Sequence, residues 1–465
     1  MSLKPSLADR LRAVVGTAPS AVPRVDTGEP APSGEGTAAR VAQAAAVLGG
    51  TVHESVGGRC IVVDRYYAAD DRHGRLPIAG IVRTLQASVE GFTTLGRAWP
   101  GTRGVVPAEG PLLQDLDGLC VVDLETTGLA GGAGTQAFLV GCARLDGEGV
   151  HVRQFLSPGF EHERAQLQLV AEWMRDRTQL LTFNGRTFDV PLLEMRFSYH
   201  RLAWPWDELP HLDALHPARR FWRDRPELLG PDPDDASCSL TVLERRLSGV
   251  HRVGDVPGFE IPARYFQFAR DGRPEPLAAV LEHNRLDLLS TLLVCARASA
   301  LVVLGPGAAE NGHECLGLGR LHDRLGRTDD ADACYTQAAA TGARTGDGRL
   351  RGEALRRLAL VRRRAGRPAE AAEAWRDLLA TRGASALARR EAREALAIFH
   401  EHRARDLETA RALVLDALAE PLAARHRGET EHRLARLERK LSRSRTGSLI
   451  AQLDDEPSEQ SNSLD

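Results

Sequence analysis

From Leu119 onward the chain alternates short apolar runs with polar breaks at strand-like intervals. The segments 119–125 (LCVVDLE), 137–146 (AFLVGCARLD) and 150–158 (VHVRQFLSP) read as consecutive strands of a meander. Helical spacing of apolar residues over 163–176 predicts a helix, and 179–185 (QLLTFNG) a fourth strand ending in an Asn-Gly turn. A helix from about Phe188, a strand-like 211–215 (HLDAL), a helix over 239–249 and a closing helix from about Pro276 to Leu304 follow. Strands in front with helices behind predict an α/β domain. Upstream, residues 40–116 offer a helix, the short strand 60–67 (CIVVDRYY) and irregular pieces, read as an accessory layer. The Pro-, Gly-, Ser- and Thr-rich stretch 17–36 predicts disorder.

From about residue 311 the pattern becomes helical and rich in Ala and Arg. LGRTDDADACYTQAAA (325–340) is similar to AGRPAEAAEAWRDLLA (365–380) and, more weakly, to RARDLETARALVLDAL (403–418), with Gly326, Gly366 and Asp406 forty residues apart. A turn residue followed by A-x-x-x-[YW] resembles the second helix of a tetratricopeptide repeat, with a longer period than usual. A plain helical bundle is the other reading. The expected organisation is a mostly disordered 1–39, an accessory 40–115, an α/β domain at 116–304, a helical-repeat domain at 311–443 and a disordered tail at 444–465.

Composition narrows the picture little. At 465 residues, 43% hydrophobic and 26% charged, the chain is long enough for two or three globular domains. A formal charge of −3 announces no global basic field, although a local groove can still be basic. Lys4 and Lys440 are the only lysines, so catalytic lysine chemistry is excluded. Seven cysteines without a C-x-x-C pair argue against a disulfide framework or a thiolate zinc site and suit a reducing cytosol. The apolar stretch 288–305 is broken by Arg297 and reads as a buried helix, not a membrane span, so the expected location is cytoplasmic.

The chemistry lies in three short motifs. In CVVDLETTGLAGG (120–132), Asp123 and Glu125 share one strand face and converge on one spot. Two like charges that close cost free energy unless a cation, a proton or a hydrogen-bond network offsets them. In TFNGRTFDVPLL (182–193), Asp189 falls in the first turn of a helix, where an acid is also an ordinary dipole partner. In LEHNRLDLLS (281–290), His283 and Asp287 lie one helical turn apart on one face, a spacing that surface pairs also use.

Taken in order, these motifs resemble the DEDD exonuclease branch of the ribonuclease-H-like superfamily, most closely its bacterial YprB-like members. The resemblance covers about residues 116–303 and includes GTQAFLVG, HLDALHPARRFW and DVPGFEIP. It implies a ribonuclease-H-like mixed sheet flanked by helices and a metal-dependent nuclease, expected to hydrolyse single-stranded DNA or RNA from a 3′ end. It also implies that Asp123, Glu125, Asp189 and Asp287 hold two Mg²⁺ or Mn²⁺ ions, hard cations suited to carboxylate oxygens. Without metal, such a quartet should be loose or partly protonated.

His283 is the expected general base, yet it stands four residues before the last acid, the spacing that family members with Tyr use, so orienting a water or no catalytic part are the alternative readings. Thr126, Thr127, Gly128 and Leu129 resemble the turn that receives the terminal nucleotide, and Asn184 an orienting residue. Asp213 resembles an intervening structural acid outside the metal shell. The Arg-aromatic runs 218–225 and 264–270 read either as single-strand platforms or as ordinary helix ends with buried aromatics. The helical region would present a face to a protein partner, and no membrane is expected. The rival readings are a catalytically weak ribonuclease-H-like module serving a repeat scaffold, and a metal-dependent endonuclease.

Overall fold

The computed structural model describes residues 34–99, 116–128, 134–206, 209–223, 238–420 and 424–454. Helix α1 (Gly34–Leu48) leads into β1 (Thr51–Ser55) and β2 (Gly58–Tyr67). A minute hairpin of β3 (Arg72–His73) and β4 (Leu76–Pro77) precedes α2 (Ile78–Gln86) and α3 (Val89–Ala98). The central meander is β5 (Leu119–Thr126), β6 (Ala137–Asp146) and β7 (Gly149–Leu156). Helix α4 (Glu163–Met174), β8 (Gln179–Thr182), α5 (Asp189–Tyr199), β9 (His211–Asp213) and α6 (Leu215–Trp222) continue the chain. Then come α7 (Leu240–Ser248), α8 (Ile261–Asp271) and the long α9 (Glu275–Leu304).

Seven strands form one sheet in the order β1-β2-β7-β6-β5-β8-β9, antiparallel except for the parallel pairs β5/β8 and β8/β9. The sheet is mixed because β8 and β9 are each reached through a helical crossover, whereas β5 to β7 turn back directly. Strands β1 and β2 pair onto β7, so the stretch expected to form an accessory layer extends the sheet instead. The alternation of CIVVDRYY lets its backbone ladder run beside Gly149–Leu156, which no separate layer would satisfy.

Alternation also divides the core. Val122, Cys142, Phe155 and Leu180 point to one face and pack on Leu167, Val170, Leu193 and Phe197 of α4 and α5. Val121, Ala143, Val152 and Leu181 point to the other face, against α2, α3 and α9. Helix α9 is long and apolar enough to cross a membrane, and 78% of its apolar window is buried inside the protein. Cys60, Cys120, Cys142, Cys295, Cys315 and Cys334 are free thiols buried in the protein.

The C-terminal region consists of α10 (Gly312–Arg324), α11 (Thr328–Thr345), α12 (Gly348–Arg364), α13 (Pro368–Ala380), α14 (Ala386–Phe399), α15 (Leu407–Ala419) and α16 (Ala424–Asp454). Ala331 and Tyr335 are buried at the place in α11 that Ala371 and Trp375 occupy in α13. Gly326 and Gly366 take φ of +73° and +75° before those helices, a conformation that favours glycine. The final helix runs to Asp454, where the sequence predicts an unstructured tail from 444. Helix α10 docks on α6: Leu318 and Leu321 join the core, and Trp222 Nε1 donates to buried Glu314 at 2.9 Å.

Candidate active site

The parallel pair β5/β8 ends at one edge of the sheet, and the chain turns into α5 just beyond it. Asp123 and Glu125 lie near the end of β5, and a register shift between Glu125 and Thr126 closes its pairing with β6. After β8, Asn184 adopts φ of +66° and Gly185 follows closely. A Cβ at position 185 would stand 2.8 Å from Asp189 Oδ2 and 2.6 Å from Thr182 Cβ, so only glycine lets α5 begin so near the strand. Asp213 fixes this turn from β9: its carboxylate accepts from the backbone N–H of Asn184 at 2.8 Å, Leu215 at 3.0 Å and Arg186 at 3.1 Å. It therefore acts as the structural acid expected from the sequence.

Helix α9 delivers the remaining groups, with His283, Asn284, Asp287 and Ser290 at helical spacing on one side. The four acids feel one another. Burial, followed by the charges of Asp287, Glu125 and Asp189, holds the Asp123 carboxyl well above the usual carboxylate range. Burial and the charges of Asp287 and Asp189 do the same for Glu125. Asp189 is pushed up to about 7, by burial first and then by Asp213 and Asp287. Asp123, Glu125 and Asp189 are thus all held above the usual carboxylate range, by burial first and by neighbouring acids second.

The sequence reading missed the groups that organise Asp287 and His283. Arg252, almost wholly buried, forms a two-pronged bond to buried Glu244 at 2.6 and 2.9 Å and also donates to Asp287. Burial alone would lower the pKa of this guanidinium, but Glu244 and Asp287 raise it further. Ser290 donates to Glu244 as well, and His73 Nε2 lies 2.9 Å from the Ser290 hydroxyl.

His283 Nδ1 lies 2.6 Å from Asp255 Oδ1, and Nε2 lies 3.7 Å from Asp287 Oδ2. The Arg252 guanidinium, which only donates, also faces Nδ1 at 3.3 Å; the much shorter contact to Asp255, whose carboxylate only accepts, puts the proton on Nδ1 and leaves Nε2 of a neutral imidazole as the basic nitrogen. Asp255, despite burial, sits below the usual carboxylate range because it bonds to His283 and faces Arg252. The Tyr-type spacing therefore still brings His283 to the acids. Glu244, Arg252 and Asp255 each look like ordinary surface charges in sequence, since their partners are 8 to 35 positions away.

Thr126 Oγ donates to the Gly128 carbonyl at 2.9 Å, and Thr127 pairs with Gln136 through its backbone N–H and its hydroxyl. These residues open the turn after β5, next to the acids. Leu129 lies outside the described residues. Asn184 is exposed and accepts from the Thr187 hydroxyl at 3.2 Å. Phe221 and Trp222 are only 1% and 3% exposed, so the aromatics of 218–225 belong to the core and build no single-strand platform. In 264–270, Tyr265 and Phe268 are buried likewise, while Phe266 is exposed against Phe160.

The donors suit a hard divalent cation in kind: carboxylate oxygens from three elements, three of them held above the usual carboxylate range by burial and by neighbouring acids. As the side chains stand, no group of three or more His, Cys, Asp or Glu among the described residues is placed to hold a metal ion. Asp287 is instead engaged by Arg252. The fit is one of chemistry and field rather than of a preformed cage.

Comparison with known proteins agrees with this geometry. Residues 120–299 match the model of the RNase_H superfamily. The chain is 29% identical over 387 residues to the uncharacterized protein YprB of Bacillus subtilis (strain 168), spanning 82% of this chain and 86% of that protein. Residues 120–299 of this chain are thus similar to the ribonuclease-H superfamily, on a mixed seven-stranded sheet flanked by helices with a helical region behind it.

Proposed function

We propose that this domain is a divalent-metal-dependent 3′–5′ exonuclease acting on single-stranded DNA or RNA. The observation that carries the reading is the convergence of Asp123, Glu125, Asp189 and Asp287, each close enough to act on the charge of others. Asp123, Glu125, Asp189 and Asp287 would hold Mg²⁺ or Mn²⁺, two ions in the full form of the reading. When bound, such ions supply positive charge to a transferring phosphoryl group and lower the pKa of water.

The protein's own part is positional. Asp255 holds His283 as the Nδ1–H tautomer, so that Nε2 takes the proton of an attacking water. The Glu244–Arg252 clamp restrains Asp287, and Asp213 restrains the turn that carries Asn184 and leads to Asp189. The turn Thr126–Gly128, with Leu129, is assigned to the terminal nucleotide. We assign the helical region to a protein partner, in the manner of tetratricopeptide-like repeats. The sequence, with seven cysteines and no C-x-x-C pair, supports a reducing, cytoplasmic setting.

The rival reading, a catalytically weak module on a repeat scaffold, is favoured by the guanidinium already lying on Asp287. End-labelled single-stranded DNA and RNA incubated with the protein and Mn²⁺ separate these readings. Exonuclease action yields products shortening one nucleotide at a time, endonuclease action yields internal fragments, and a scaffold leaves the strands intact.

A further inference from the structure

Asp123 has a neighbour that contributes no charge. In the central sheet Asp123 pairs with Gly141, and Gly141 pairs with Gln154, so the three form one row across β5, β6 and β7 on a single face. Above this row lies Asn284 of α9, fully buried like Gln154. Asn284 Nδ2 donates to Asp123 Oδ2 at 2.8 Å and to the Asp123 carbonyl at 3.2 Å. Gln154 Nε2 donates to Asn284 Oδ1 at 2.7 Å and to the Leu281 carbonyl at 2.9 Å.

The polarity of this chain of bonds is determined from one end. A backbone carbonyl only accepts, so Gln154 must turn its amide N–H₂ toward Leu281. The same nitrogen faces Asn284, which therefore presents its oxygen to Gln154 and its nitrogen to Asp123. Gly141 makes the arrangement sterically possible, because a Cβ there would stand 2.1 Å from Asn284 Oδ1. An amide nitrogen has no acceptor capacity, so it commits Asp123 Oδ2 to an accepting role.

We infer that Asn284 is a positioning residue for the metal-holding carboxylate of Asp123, oriented in turn by Gln154 through the gap left at Gly141. The inference rests on the proposed metal-holding role of Asp123. Its logic is that of groups behind a ligand: they fix the ligand's rotamer and direct its remaining lone pairs outward. With Oδ2 held by Asn284, Oδ1 is the oxygen left for a cation.

The test is Mn²⁺ binding to the full chain, followed by calorimetry and by loss of the free-ion electron paramagnetic resonance signal, with no substrate present. Wild type, Asn284→Ala, Gln154→Met and Asp123→Asn are compared, with circular dichroism and melting temperature recorded for each. Asn284→Ala should weaken Mn²⁺ binding by about 10- to 100-fold, the usual worth of such a supporting bond. Gln154→Met, which touches no acid, should weaken binding in the same direction by less, through the freed Asn284 amide. Should Asn284→Ala fail to fold, the loss in Gln154→Met decides. Wild-type affinity in a folded Asn284→Ala or Gln154→Met protein, with affinity lost in Asp123→Asn, would overturn this inference alone. No Mn²⁺ binding by the wild type would overturn it together with the metal-holding role.

Discussion

Replacing Asp189 by Asn should stabilise the metal-free protein, by an amount that grows with pH. The Asp189 carboxyl is raised from an ordinary 3.8 to about 7 by burial and by the charges of Asp213 and Asp287. A carboxyl whose folded pKa lies above its unfolded value binds more protons in the native state between those two values. Stability therefore falls as pH rises from about 4 to about 7, and the loss is complete above that. About three units at about 1.4 kcal/mol each give close to 4 kcal/mol in all, of which about 3 kcal/mol falls between pH 5 and pH 8. Asn keeps the shape of the side chain and cannot ionise, so it escapes this loss.

His73 and His211, held neutral by burial with pKa lowered to about 4, give a slope of opposite sign in that range. They are present in both proteins, so the informative quantity is the variant's advantage over wild type at each pH. The assay is thermal unfolding in EDTA at pH 5 and pH 8, followed by tryptophan fluorescence. At about 2–4 °C per kcal/mol for a domain of this size, the advantage in melting temperature should grow by about 6–12 °C between the two pH values. An advantage that stays constant or shrinks as pH rises would refute the crowded-carboxylate argument.

His283→Ala should leave Mn²⁺ affinity nearly unchanged, since the four acids remain, while turnover of single-stranded substrate falls by about 10²- to 10⁴-fold. Asp255→Asn should lower turnover in the same sense by freeing the imidazole, and near-normal rates in both variants would make the pair structural. Arg252→Ala strands the buried Glu244 charge and should cost about 3–5 kcal/mol of stability, read as a lowered melting temperature, whereas loss of a surface pair would be nearly silent.

Much of the sheet was legible because 119–125, 137–146 and 150–158 are strand-length runs, apolar or alternating with a period of two, and β5 to β7 follow them closely. Asp123 and Glu125 stood out for the same reason: period two places them together whatever surrounds them. Helical period likewise put His283 and Asp287 on one side of α9. The attachment of β1 and β2 to β7 was not legible, since register between strands some ninety residues apart leaves no local mark. Arg252, Asp255 and Gln154 were hidden in the same way, because their significance lies in partners on other elements. Asn284 had a faint signal as the neighbour of His283, but it stands among Glu282, Arg285 and Asp287, and only the glycine beneath it reveals its task. Phe221 and Trp222 allowed two readings, because interleaved arginines resemble a binding surface; the rings take the buried one and fill the junction with α10.

The claim on which the account turns is that Asp123, Glu125, Asp189 and Asp287 form one metal-dependent hydrolytic centre. The most direct measurement is hydrolysis of a 5′-labelled single-stranded oligonucleotide by wild type in Mn²⁺, beside wild type in EDTA and Asp123→Asn in Mn²⁺. The account predicts a ladder of products shortening from the 3′ end in the first reaction and intact strands in the other two, with Asp123→Asn still folded. Undiminished hydrolysis in excess chelator or by Asp123→Asn, or intact strands in all three reactions, would contradict it.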